Sequence, residues 1–284
     1  MAMMSQKDSI WPYGRINRHF EFLAYDHDDG EKEFLGHKGR FNGEDVIDII
    51  IRQPATARFI ARHLYNFFVA DEVPVPSWSD TRPRDPEAIA TLAKTYVDSD
   101  HSIKAMLRVL FNSDFFKEAA YKKLKGPVEL IVGTIRLTGE VESPGLGMIS
   151  ALEEAGYMGQ LLFYPPSVEG WHTGEEWVNS GSLMDRINFA ASHIANLDHP
   201  GIRDLVNRIV ALCGPQPSPE DLVDATLELL GPVYASDDTR ALLIDLASQN
   251  GVVDASAYPD SAEFDRLISD LLRMIVSTRE YQMV

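Results

Sequence analysis

Asn42-Gly43-Glu44-Asp45-Val46-Ile47-Asp48-Ile49-Ile50 is where the chain changes from a strand-like to a helical pattern, and its logic recurs through most of the remaining sequence. Asn42 is a helix cap whose side-chain oxygen can accept from the free N–H groups of the first turn. Glu44 and Asp45 stand where the helix macrodipole favours acids, and Val46, Ile49 and Ile50 recur at helical spacing. Pro54 at a first helical position then starts a second helix running to Val69, with Phe59, Leu64, Phe67 and Phe68 as its expected core face. Asp85-Pro86-Glu87 repeats the cap-and-proline start for a helix ending near Asp98. The same reading predicts helices over Ser102 to Asn112, Pro127 to Thr138 with Gly139 behind it, and Gly147 to Ala155. Further along it predicts Ser182 to Asn196, Gly201 to Leu212, Pro219 to Leu230 behind Ser218, Asp237 to Gln249, and Ala262 to Val276. About eleven helices with short polar links and no βαβ alternation define an all-α protein, a multi-helix orthogonal or bundle-like array.

Upstream of Asn42 the pattern is different. His19-Phe20-Glu21-Phe22-Leu23 alternates, Asp28-Asp29-Gly30 is a turn signal, and Lys32-Glu33-Phe34-Leu35 is expected to return as the second strand of a small hairpin. Such a hairpin is marginal alone and is expected to pack on the helices or on a segment upstream. The organisation is therefore an N-terminal segment 1–41, a main body 42–213 with an ordered central loop 164–181, and a C-terminal helical subdomain 219–284. Gly214-Pro215-Gln216-Pro217-Ser218-Pro219 is the candidate linker, either a boundary or a corner between packed helices. Leu107 to Phe116 aligns without a gap with Leu272 to Tyr281, each an apolar helix end, a polar break and an aromatic residue; shared capping chemistry accounts for this echo as well as duplication does.

The composition is that of an ordinary globular chain: 284 residues, 45% hydrophobic and 24% charged. A formal charge of -17, from 26 Lys+Arg against 43 Asp+Glu, repels nucleic-acid phosphates and anionic lipid. Lys117, Lys122, Lys123 and Lys125, just before a Gly-Pro break, read as a solvated face. Cys213 is the only cysteine and reads as a core thiol at a helix end, so no intramolecular disulfide can form. No apolar run approaches the ~18 to 20 residues of a membrane span, and no export signal stands at Met1 to Gln6, so a soluble chain is expected.

Two constellations are candidates for chemistry. His27, Asp28, His37 and Glu44 combine imidazole and carboxylate, the donors a divalent metal takes, although their spacing matches no metal motif and Gly30 stands one position too early for an EF-hand loop. The central loop, Tyr164-Pro165-Pro166-Ser167-Val168-Glu169-Gly170-Trp171-His172-Thr173-Gly174-Glu175-Glu176-Trp177, offers Glu169, His172, Glu175 and Glu176 for acid–base work. Trp171 and Trp177, with Arg186 and Asn188 on the next helix, could bind a ligand or instead pin the loop, Arg186 reaching back to loop carbonyls or Glu169. No Gly-x-Ser-x-Gly elbow, phosphate-binding loop or dinucleotide fingerprint is present, and no cofactor is evident beyond a candidate divalent metal.

His27-Asp28-Asp29-Gly30-Glu31-Lys32-Glu33-Phe34-Leu35-Gly36, Gly43 to Ile50, Gln53-Pro54-Ala55-Thr56-Ala57-Arg58-Phe59-Ile60-Ala61, Pro165-Pro166-x-x-x-Gly170-Trp171 and Arg186-x-Asn188-Phe189 resemble the bacterial family called domain of unknown function 1800. The resemblance runs from about residue 19 to the C-terminus. Members are usually longer at the N-terminus and often carry an export signal, so it implies the C-terminal portion of a typical member, a helical fold, and periplasmic or extracellular residence. It brings no activity and no catalytic residue. The leading expectation is a helical module binding a small molecule or protein through the tryptophan-rich loop. The competing ones are a hydrolase, metal-assisted or carboxylate-based, and a structural scaffold in a larger assembly.

Overall fold

The computed structural model describes residues 4–10, 15–141, 143, 145, 147–231, 233–249, 254–255 and 258–284, with side chains described from residue 20 onward apart from that of Gly147. Among them are twelve α-helices: α1 Gly43–Ile51, α2 Pro54–Phe68, α3 Pro86–Asp98, α4 Ile103–Asn112, α5 Asp114–Lys117, α6 Pro127–Thr138, α7 Gly147–Tyr157, α8 Ser180–Ile194, α9 Pro200–Cys213, α10 Pro219–Leu230, α11 Asp237–Ser248 and α12 Ala262–Val276. The protein is all-α, and the caps are the expected ones. Asn42 Oδ1 accepts from Glu44 and Asp45 N–H at 2.9 and 3.0 Å, and Asp85 and Ser218 cap α3 and α10. No helix among the described residues is long and apolar enough to cross a membrane.

The strand pairing differs from expectation. β1 (Met4–Ile10) pairs antiparallel with β2 (Arg15–Phe20), while β3 (Lys32–Phe34) pairs with β4 (His37–Gly39) instead of returning to the segment near His19. The reason is local: Leu35 and Gly36 both take positive φ, 46° and 80°, the backbone of a two-residue type I′ turn, so Phe34 and His37 face each other directly. Asp28-Asp29-Gly30 makes a side-chain turn, Asp28 Oδ1 accepting from Gly30 N–H at 2.8 Å.

Two hydrophobic clusters form the interior among the described residues. The smaller lies between α2, α3 and α4 around Ala61, Tyr65, Leu92, Met106 and Leu110. Here Phe59 and Phe67, expected in the core, are exposed, because Ala57, Ala61 and Tyr65 at i, i+4 and i+8 form the buried stripe and small residues let α3 approach closely. The larger cluster unites α6 and α8 to α12 around Leu130, Ile194, Ile202, Leu222, Ile268 and Leu272. α9 and α10 pack on one another across the proline-rich link within that cluster, and Cys213 is half-buried at its edge, with burial pushing its thiol pKa up.

Polar groups join the clusters. Arg62, buried beneath Trp78, donates to Glu72 Oε2 at 3.0 and 2.6 Å and to the Thr81 carbonyl at 2.9 Å, which ties down the segment between α2 and α3. Asp71 Oδ2 accepts from Leu124 N–H at 2.8 Å. The C-terminal residues run antiparallel to 123–125: Val284 N–H donates to the Lys123 carbonyl at 2.7 Å and Lys125 N–H to the Gln282 carbonyl at 2.9 Å. Arg186, fully buried, donates from Nε to Gln282 Oε1 at 2.9 Å and from Nη2 to the Lys125 carbonyl at 2.7 Å, so it serves this joint and not the central loop.

Lys125 leaves the solvated face expected of its cluster. Its Nζ donates to the Tyr281 carbonyl at 2.6 Å and lies 4.2 Å from the Tyr281 ring centre. Burial, aided by nearby Arg186, lowers its pKa to about 8. From pH 8 toward 10 the unfolded chain still holds this proton while the folded chain has released it, so the contribution to stability rises with pH, by at most about 1.4 kcal/mol per unit. Urea unfolding across that window should therefore show a rise in wild type that Lys125→Met reduces; identical pH profiles would refute the assignment.

Candidate functional site

α6, α8 and α9 end or begin within reach of one another. Gly139 takes the left-handed conformation, φ 64°, and returns its N–H to the Ile135 carbonyl at 3.1 Å, closing α6 and reversing the chain into Glu140. His193 lies in the last turn of α8, and His199 is the N-cap residue of α9, followed by Pro200. Gly201 fits directly against the end of α6: a β-carbon there would strike the Leu137 carbonyl oxygen and stand 2.9 Å from the Thr138 carbonyl. Absence of that carbon lets α9 approach far enough for its leading histidine to reach Glu140.

The three side chains converge. His193 Nδ1 lies 2.8 and 2.9 Å from the two Glu140 carboxylate oxygens, and His199 Nε2 lies 3.4 Å from Glu140 Oε2. The imidazole rings are nearly parallel, 7° apart with centres at 6.1 Å, and Phe189 backs His193 at 4.3 Å. Asn196 Nδ2 is 3.3 Å from His199 Nε2, and Asn196 Oδ1 is held by Asp198 N–H at 3.1 Å. The carbonyl end of α8 favours a positive charge, such as a metal ion, beside His193. Side-chain exposures of 30%, 17% and 20% for His193, Glu140 and His199 leave the group half-buried.

One oxygen and two nitrogen donors, all within 4.8 Å of one another, make a set able to hold a divalent metal, and no other such trio occurs among the described residues. Glu140 and His199 also line a cleft of ≈ 630 Å³ with Gly139, Val141, Ser143, Gly145, Met148 and Pro200. Its volume lies in the range of small-molecule sites.

The residues singled out in the sequence are placed elsewhere. His27 Nδ1 meets Asp29 Oδ1 at 2.9 Å, Asp28 is engaged by Gly30, His37 is exposed on β4, and Glu44 stands in the first turn of α1. These four are not drawn into a donor trio. The Gly30 N–H, with Lys32 assisting, holds the exposed Asp28 carboxyl below its ordinary range. In the central loop His172 Nδ1 lies 3.2 Å from Glu176 Oε1, Glu175 meets Arg84 at 3.7 Å, and Glu169 is exposed, its N–H donating to Ser167 Oγ at 3.2 Å. Trp171 Nε1 donates to the Leu161 carbonyl at 3.1 Å; Trp177 is buried, with Ser182 Oγ donating to its carbonyl at 2.9 Å; Asn188 is exposed on α8. Gly174 packs so closely on Asp71 that a β-carbon would stand 2.9 Å from Asp71 Cβ, and burial raises the Asp71 pKa.

The model of the family described as "Protein of unknown function (DUF1800)" matches residues 10–283. No curated protein and no solved structure matches the chain.

Close approach at Gly201 yields a direct expectation. Gly201→Ala should destabilise the protein by about 1–3 kcal/mol through forced overpacking against the end of α6. Thermal unfolding checks this, and an unchanged midpoint would show that α9 does not press on α6 as described.

Proposed function

The chain belongs to the DUF1800 family, and for this member of a family described without an activity we propose a metal-binding function. In this reading Glu140, His193 and His199 hold a divalent transition metal at the mouth of the neighbouring cleft, where a small molecule completes the coordination. The observation that carries it is the trio itself, three donors from three chain segments within 4.8 Å. Two imidazoles and one carboxylate suit zinc and other first-row metals, and three protein ligands leave a position open, as in catalytic rather than structural zinc sites. Phe189 backs the His193 ring, while Asn196 Nδ2 meets the same His199 nitrogen that would hold the metal and would give way to it. The tryptophan-rich loop has a supporting role here: Trp171 and Trp177 fasten it, and Arg186 fastens the helices beneath.

A second reading, metal-assisted hydrolysis, is favoured by the open position facing a cleft. A bound Zn²⁺ supplies a Lewis acid and acidifies its water. Glu140 and the two histidines would act as ligands, and Ser143 and Met148 would bound the space a substrate enters.

Titration of chelator-stripped protein with Co²⁺, followed by visible absorption, tests the proposal. One equivalent should bind, and His193→Ala and His199→Ala should each weaken binding at least about ten-fold. At about one hundred times the dissociation constant, metal should add about 2.7 kcal/mol of stability. Undiminished Co²⁺ binding in the His193→Ala/His199→Ala double variant would refute it.

A further inference from the structure

We propose that α7 and the loop following it form a docking surface for a basic, amphipathic segment of a partner protein. Trp171 Nε1 and Tyr164 N–H both donate to the Leu161 carbonyl, at 3.1 and 3.2 Å, and close a tight turn. Within it Phe163 takes φ 62°, a backbone region that bulky residues adopt only where the surroundings impose it. The turn holds its apolar side chains away from the core: Phe163 is 95% exposed, Tyr164 75% and, just beyond, Val168 106%. The loop folds back on α7, where Leu161 lies within contact distance of the space beside Gly156, and the helix itself exposes Leu152 and Tyr157. Single exposed apolar residues are ordinary; a concentration fastened outward by dedicated hydrogen bonds marks an interaction surface.

Charge identifies the occupant. Residues 137–185 hold eight acidic side chains and neither lysine nor arginine. Glu153 and Glu154 lie on α7, Glu169 in the loop, and the one basic group from elsewhere that reaches this region in an ion pair among the described residues, apart from His193 and His199 at Glu140, is Arg84 on Glu175. A partner must therefore be apolar at its centre and basic at its edge, as an amphipathic Leu/Lys-type helix is. The formal charge of -17 disfavours a second copy of the chain and an anionic bilayer.

Fluorescence anisotropy with two labelled synthetic helices of identical pattern, one Leu/Lys and one Leu/Glu, tests this. The Leu/Lys helix should bind, with affinity falling as salt rises, and the Leu/Glu helix should not. Phe163→Ser/Tyr164→Ser/Val168→Ser should weaken the Leu/Lys complex at least about ten-fold with the circular dichroism of the protein unchanged. Should that triple variant lose helicity, Tyr164→Ser/Val168→Ser, which leaves Phe163 in place, should still weaken binding several-fold. Equal affinity for the serine variants and wild type would reduce the effect to bulk charge attraction and overturn the proposal. So would stronger association with phosphatidylcholine vesicles than with the Leu/Lys helix.

Discussion

The candidate centre depends on how closely α9 can approach the end of α6, and that distance is set by the missing β-carbon of Gly201. Backbone meets backbone there, with the Leu137 and Thr138 carbonyls occupying the space where any other residue would project. Gly139 complements it by ending α6 in a left-handed turn that only glycine adopts without strain. Between them the two glycines bring Glu140 and His199 face to face, and α8 delivers His193 from the opposite side. The three donors are thus mounted on helix ends whose positions are fixed by the larger hydrophobic cluster, which is the rigid support a coordination site requires.

Arg186 performs the corresponding service two turns before His193 on α8. A fully buried guanidinium is costly, and here Nε and Nη2 reach the Gln282 amide oxygen and the Lys125 carbonyl, two groups on the joint between the helical clusters, while Nη1 is buried without a partner. The C-terminal residues complete that joint by pairing with 123–125. Central-loop residues close over it, Gly174 pressing on Asp71 and Trp177 entering the interior. The loop is ordered because it covers a polar seam, and its outward-facing aromatic residues are what remains available to a partner.

Most of the fold was legible because helix ends carry local chemistry: Asn42, Asp85 and Ser218 announce their caps, and proline and glycine punctuate the rest. What failed depended on which face meets a neighbour. Phe59 and Phe67 looked like core residues, but the alanine stripe on α2 is the one that α3 covers. Pairing of β3 with β4 turned on Leu35 accepting positive φ, which the residue type does not advertise. The trio was invisible for a different reason. Glu140 and His193 are 53 residues apart and share no motif, and only the three-dimensional meeting of helix termini unites them. The one local hint was His199-Pro200-Gly201, a histidine at a cap ahead of a glycine that has no turn to make.

The proposed metal chemistry therefore belongs to the inconspicuous helix ends, and the conspicuous loop is left as fastening and as surface. X-ray absorption spectroscopy of zinc-loaded protein tests that assignment most directly. The expected innermost shell, at about 2.0–2.2 Å, contains two imidazole nitrogens with their outer-ring scattering and one carboxylate oxygen, completed by solvent. A shell of oxygen alone, or an imidazole signature that survives replacement of both His193 and His199, would contradict it.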